Sequence, residues 1–132
     1  MSKFNWKFIT QKELKEVFEW WKHYGFKQVP VESLPKGGLI VSKDNINLYS
    51  CFIYFTDSNI AWLEWVVSNP KAPVDKKKGA FEYMLEVVEV ILKLKGMKQI
   101  FISTNLPAFK NKLKKNEFEE TDSNVTHYIK NI

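Results

Sequence analysis

Between Gln11 and Tyr24 the apolar residues Leu14, Val17, Phe18, Trp21 and Tyr24 recur at three- and four-residue steps, the spacing that gathers side chains on one face of an α-helix. Thr10, with Glu13 three positions on, predicts a reciprocal capping box at the start of that helix, and Gly25 predicts a left-handed stop. Ahead of it, Trp6-Lys7-Phe8-Ile9 reads as a short strand. The stretch from Phe26 to Lys36 is broken by Pro30 and Pro35 and reads as a loop, closed by Gly37-Gly38. The pattern then turns strand-like: Leu39-Ile40-Val41, a turn at Asp44-Asn45, and Leu48 to Phe55 predict a hairpin. After a further turn at Asp57-Ser58-Asn59, the segment from Ile60 to Ser68 is apolar on both faces except at Glu64. A strand that apolar is expected at the centre of its sheet.

Ser68 to Lys78 is a polar, proline-marked loop ending in Lys76-Lys77-Lys78 and Gly79. Ala80 to Lys95 predicts a helix whose charged stripe, Glu82, Glu86, Glu89 and Lys93, leaves most of its circumference to be buried, and Gly96 ends it. Gln99 to Ser103 reads as a strand. Asn105, with Pro107 at the first helical position, opens a shorter helix through Lys115, and Thr126 to Ile129 reads as a last strand. The order β-α-β-β-β-α-β-α-β joins an antiparallel meander to later crossovers, which means an α+β fold with a mixed sheet. A chain of 132 residues is long enough for one core and too short for two, so residues 1–132 are expected to form a single domain.

Composition sharpens this picture. With 45% hydrophobic and 27% charged residues the chain belongs with packed proteins, and 15% aromatic residues predict a core of large rings. No apolar run approaches the ~20 residues of a membrane span, and the start lacks the apolar stretch of a signal peptide, so a cytoplasmic location is expected. Cys51 is alone, which excludes an intrachain disulfide and a thiolate-rich metal site, and with only His23 and His127 beside it no metal is expected. The formal net charge is +5 and every basic residue is a lysine. That argues against nucleic-acid binding, because base readout relies on the guanidinium fork, and the lysines equally suit a chain encoded in an AT-rich genome.

Two places carry candidate chemistry. A helix opening at Gly79-Ala80 behind three lysines offers unpaired amides and a partial positive charge to a pyrophosphate; the same features also describe a solvated basic loop. Glu64 interrupts an apolar strand, as a general base would, or as a carboxylate facing the open side or paired with a lysine. His127 reads as a structural histidine and Cys51 as a buried thiol.

The stretch from Trp62 to Phe118 resembles the GNAT superfamily of acyl-CoA-dependent N-acyltransferases. The resemblance runs through Leu63-Glu64-Trp65-Val66-Val67-Ser68-Asn69-Pro70, through Lys76-Lys77-Lys78-Gly79-Ala80-Phe81 in place of the family's phosphate-binding turn, and through Ser103-Thr104-Asn105 and Leu113-Lys114-Lys115-Asn116-Glu117-Phe118. It implies a twisted mixed sheet of about six strands flanked by three to four helices, with a V-shaped cleft between the strands Ile60 to Ser68 and Gln99 to Ser103. It also implies acetyl-CoA as acyl donor, held by Val66, Val67 and Ser68 along its thioester arm and by Lys76, Lys77, Lys78, Gly79 and Ala80 at its pyrophosphate, with Asn105 contributing. Transfer would be direct, to an unidentified amine of a small molecule or protein, with Glu64 as base, in a monomer or homodimer. The departures are Leu113 where the family has its acid tyrosine, Phe81 for a small residue and Glu117 for a glycine. They leave open a second reading, a catalytically degenerate binding or interaction protein. The closing Asp122-Ser123-Asn124-Val125-Thr126-His127 is similar to the ends of small GNAT-like proteins encoded by bacteriophages.

Overall fold

The capping box forms as predicted. In the computed structural model, which describes residues 3–132, Glu13 accepts from the Thr10 amide at 2.8 Å while the Thr10 hydroxyl caps the first turn of helix α1 (Gln11–His23). Strand β1 (Asn5–Phe8) precedes it, and Lys7 on β1 meets Glu13 at 2.9 Å. Strands β2 (Gly37–Lys43), β3 (Ile46–Phe55) and β4 (Ile60–Ser68) continue an antiparallel meander begun by β1. The short helix α2 (Val74–Lys77) and the long helix α3 (Ala80–Leu94) then carry the chain to β5 (Gln99–Phe101), which pairs with β4 in parallel. The sheet order is β1-β2-β3-β4-β5.

Residues opposed across the strands share a face, which sorts the core into two layers. Ile40, Phe52 and Val67 pack under Val17, Trp20 and Trp21 of α1, with Phe26, Tyr54 and Trp65 around them. On the other face α3 lies against β2 and β3 and buries Phe81, Met84, Val88 and Leu92. Gly38 belongs to the first layer, where it faces Phe52 so closely that a Cβ would come within 2.6 Å of that ring.

Contacts divide the chain between Ile102 and Ser103 into two compact units. The first holds all five strands and helices α1 to α3. The second holds α4 (Pro107–Lys115), closed by a Schellman cap in which the Phe118 amide donates to the Leu113 carbonyl and Glu117 takes φ +69°.

Several expectations need correction. The sheet has five strands, because residues 126–129 form none; Tyr128 and Ile129 are exposed there, and no described strand satisfies their backbone groups. The middle strand is β3, and β4 lies second from the edge, with α1 packed on the face that Trp65 and Val67 share. Gly37 and Gly38 open β2 instead of closing the loop before it. The segment before α3 is partly helical, at α2, where Pro73 supplies the N-cap with φ already near the helical value. Helix α3 leaves Val90 and Leu94 exposed. Asn105 does not cap α4: Leu106 is the N-cap, and its amide is taken by the Thr104 hydroxyl at 3.1 Å.

Candidate functional site

The register along β3 and β4 slips once. Phe52 faces Glu64 but Ser50 faces Val67, so Trp65 and Val66 together oppose Cys51 in a β-bulge. Trp65 takes φ +57°, a left-handed conformation that costs a non-glycine residue roughly 1–2 kcal/mol. The extra residue resets the alternation, so that Glu64, Trp65 and Val67 all serve the face covered by α1. There the Trp65 ring stacks on Trp21, centroids 4.3 Å apart, and its Nε1 donates to the Tyr54 hydroxyl at 3.2 Å. Phe26 meets the same indole at 6.0 Å, edge to face.

The pairing of β4 with β5 stops short of this bulge. Strand β5 pairs with β4 only at Ile60–Gln99, Ala61–Ile100 and Trp62–Phe101. From Leu63 to Ser68 no strand of the described residues pairs with that edge of β4. Strand β5 ends at Phe101 rather than Ser103 and is paired along its whole length.

At the end of β4 the chain is pinned by polar contacts. Ser68 Oγ lies 2.9 Å from the Tyr24 hydroxyl at the end of α1. The buried Asn69 donates to the Asn47 carbonyl at 2.8 Å and accepts from the Lys71 amide at 2.9 Å, fixing the turn into the loop. Two of the three lysines are committed to this loop: Lys76 reaches Asp44 at 2.7 Å and Lys77 donates to the Asn69 carbonyl at 3.1 Å. The Lys76 hydrogen bond lowers the Asp44 carboxyl below its ordinary range and in return raises the Lys76 ammonium. Lys78 is exposed. Gly79, at φ +83°, is the N-cap of α3 and has no side chain to close the first turn, whose amides open toward the loop. Phe81 is wholly buried, 6.1 Å from Tyr49, so its ring turns into the core and does not stand before the helix end.

The sequence-predicted residues therefore fall into three sets. Glu64, Val66, Val67 and Ser68 share the bulged half of β4, with Val67 buried and the others half-buried. Lys76, Lys77, Lys78, Gly79 and Ala80 lead into α3. Asn105, exposed, and Leu113, buried, belong to the second unit. Asn69, Asp44 and Trp65 belong to this region beyond the residues expected from the sequence. Asn before Pro at the end of a strand is a signal for Asn69; a left-handed tryptophan has none. Cys51 is buried, which pushes its thiol up and keeps it protonated. His23 and His127 are exposed, and the described residues hold no group of ligands that suits a metal. A separate groove of about 520 Å³ runs past Asn5, Lys7, Glu13, Glu16 and Asn47, but its carboxylates are engaged, Glu13 by Lys7 and Glu16 by Asn47 at 2.7 Å.

No family model and no curated protein sequence matches the chain. Solved structures do. An acetyltransferase of the GNAT family from Staphylococcus aureus superposes with a TM-score of 0.70 at 13% identity, over 92% of this chain and 87% of that one. The acetyltransferase AAC(6')-Iy, bound to a bisubstrate analogue of coenzyme A and acetylneamine, gives 0.69 at 16% identity over 99% of this chain and 100% of that one. N-acetylglutamate synthase from Neisseria gonorrhoeae, complexed with coenzyme A and L-arginine, gives 0.67 at 12% identity; the match takes 85% of this chain but spans only 27% of the synthase. The fold is that of the GNAT acetyltransferases.

Proposed function

We propose that the chain is an acyl-CoA-dependent N-acyltransferase that moves an acyl group, acetyl in the simplest case, directly to an amine. The observation that carries this reading is the edge of β4 from Leu63 to Ser68, bulged at Trp65, along which no described strand pairs once β5 has ended at Phe101. Coenzyme A supplies a thioester on an extended arm with two amides and a pyrophosphate, and the residues present suit each part. The main chain of Val66, Val67 and Ser68 lies on the strand edge where an extended arm finds partners. Gly79 and Ala80 open α3 with uncapped amides, and Lys78 adds a charge that no loop contact occupies. Asn105 is carried by the resemblance alone.

The acceptor amine arrives protonated and must lose that proton before it attacks, and Glu64 on the α1 face of the bulged strand is the base assigned to it. Leu113 holds the position of the family's acid tyrosine, so the departing thiolate takes its proton from water. That same leucine favours a second reading, a binding protein of this fold that has lost catalysis. Of the structures aligned above, one holds coenzyme A and another a bisubstrate analogue built on it, which supports the donor but leaves the acceptor of this chain open.

Isothermal titration with acetyl-CoA, followed by thiol release with a panel of amines, tests the proposal. Binding without release selects the degenerate reading. No binding at millimolar acetyl-CoA removes both.

A further inference from the structure

Helix α3 has a second apolar side. Phe81, Met84, Val88 and Leu92 are buried against the sheet, but Tyr83, Val87, Val90 and Leu94 follow one another at steps of four, three and four residues and line a different face. Val90 is 58% and Leu94 83% exposed, while Tyr83 and Val87 are half-buried. Glu86 and Lys93 rim one side of this stripe, seven residues apart. Both are exposed, and neither side chain holds an ion pair among the described residues. Glu89 lies farther round the helix, away from the stripe.

We infer that this stripe is the contact of a homodimer, in which α3 lies antiparallel against α3 of a second copy. The steps of four, three and four read the same in both directions. A two-fold axis crossing the helix between Val87 and Val90 therefore sets Tyr83 against Leu94 of the second copy and Val87 against its Val90. The charged rim obeys the same operation, because it meets its own copy across an antiparallel pair and brings Glu86 of each chain opposite Lys93 of the other. A parallel pair would set Glu86 beside Ile91 and leave both charges unmatched. Opposed helix dipoles favour the same arrangement. One helix face buries less than the roughly 1,200 Å² of a standard interface, so the dimer forms in the micromolar range and not the nanomolar. The inference stands apart from the acyltransferase reading, since no coenzyme or acceptor enters it.

Sedimentation velocity of the full chain in low salt tests it, over a series from about 2 to about 500 µM without acetyl-CoA. The expected result is a monomer that becomes a dimer with a midpoint of about 10–100 µM. Leu94→Lys, at a position that folding leaves open, should weaken association at least about tenfold in a protein whose circular dichroism and thermal midpoint match the parent. Glu86→Lys should weaken it about tenfold, because the symmetry creates two like-charge pairs at once. Combining Glu86→Lys with Lys93→Glu exchanges the two signs and should restore the parent midpoint. A chain that stays monomeric at the highest concentration overturns the inference. So does a dimer indifferent to Leu94→Lys in a folded variant, or a double exchange that associates no better than Glu86→Lys alone.

Discussion

Trp21 on α1 and Trp65 on β4 stack face to face, 4.3 Å between centroids and 19° between planes, and the stack exists only because Trp65 is left-handed. In an unbulged strand, residues 64 and 65 would point to opposite faces, and Trp65 would turn away from α1. The bulge therefore joins two things: it returns Val67 to the α1 core, and it places an indole beside Glu64. Its backbone cost is offset by the burial of the ring.

This arrangement predicts an inverted order for two truncations. At an ordinary strand position glycine is worse than alanine by about 0.5–1 kcal/mol. At a position with φ +57° alanine keeps the left-handed strain that glycine escapes. Both Trp65→Ala and Trp65→Gly lose the ring, but Trp65→Gly should be the more stable of the two by about 1 kcal/mol in urea unfolding. If Trp65→Ala proves the more stable, the bulge does not persist without its ring.

Glu13 predicts the acid limb of stability. Burial would raise its carboxyl, but the Thr10 amide, the Lys7 ammonium and the Thr10 hydroxyl outweigh that and hold it at about 2, against an ordinary 4.5. A folded value below the unfolded one means stability that is fully present above about 4.5 and is lost as pH falls toward 2. Glu13→Gln keeps a side chain able to close the capping box while removing the charge. Thermal midpoints measured from pH 6 down to pH 2 should converge for the two proteins, the parent falling more steeply. Parallel curves would mean that Glu13 is not held ionised.

The contrast between these two residues shows what the sequence makes legible. Thr10 and Glu13 act within one turn, so their spacing alone announces the cap, and the helices and the hairpin at Asp44-Asn45 follow from equally local patterns. The bulge at Trp65 depends on how two strands settle between two helices, and no residue in Leu63-Glu64-Trp65-Val66 marks it. Similarly, Lys76-Lys77-Lys78 reads as one basic cluster, but tertiary partners separate its members: Asp44 takes the first and the Asn69 carbonyl the second. The strand expected at Thr126 to Ile129 fails for the opposite reason, since local β-propensity without a neighbouring edge does not make a strand. Glu117 lies between these cases: the resemblance puts a glycine there, and φ +69° at the cap of α4 is why.

The separation of the lysines predicts unequal effects on cofactor affinity. Lys78→Ala should weaken acetyl-CoA binding about tenfold, the value of one charge-assisted contact, whereas Lys76→Ala should cost less because its ammonium is turned to Asp44. Asp44→Asn makes the sharper test: removing the carboxylate frees Lys76, and affinity should rise. Calorimetry in low salt resolves both. An Asp44→Asn protein that binds acetyl-CoA more weakly would show that the Lys76–Asp44 pair shapes the site instead of competing with it.

The last prediction concerns turnover. If Leu113 stands where the family has its acid tyrosine, as the resemblance implies, the thiolate leaves without a proton donor from that position, and loss of general-acid help costs ~10²–10⁴ in rate. Turnover should be slow and should rise with pH as the acceptor deprotonates. Leu113→Tyr should raise the rate of thiol release from bound acetyl-CoA if the missing phenol is the defect; an unchanged rate in a variant that still binds the cofactor assigns proton delivery to another group. Glu64→Gln works in the opposite direction. A base at that position, once removed, lowers turnover by the same ~10²–10⁴ while acetyl-CoA affinity stays the same. A Glu64 that only shapes the fold would instead shift the unfolding midpoint and leave the rate per folded molecule where it was. Measured in the Leu113→Tyr background, where turnover is expected to be faster, the two outcomes separate by more than the error of a thiol assay.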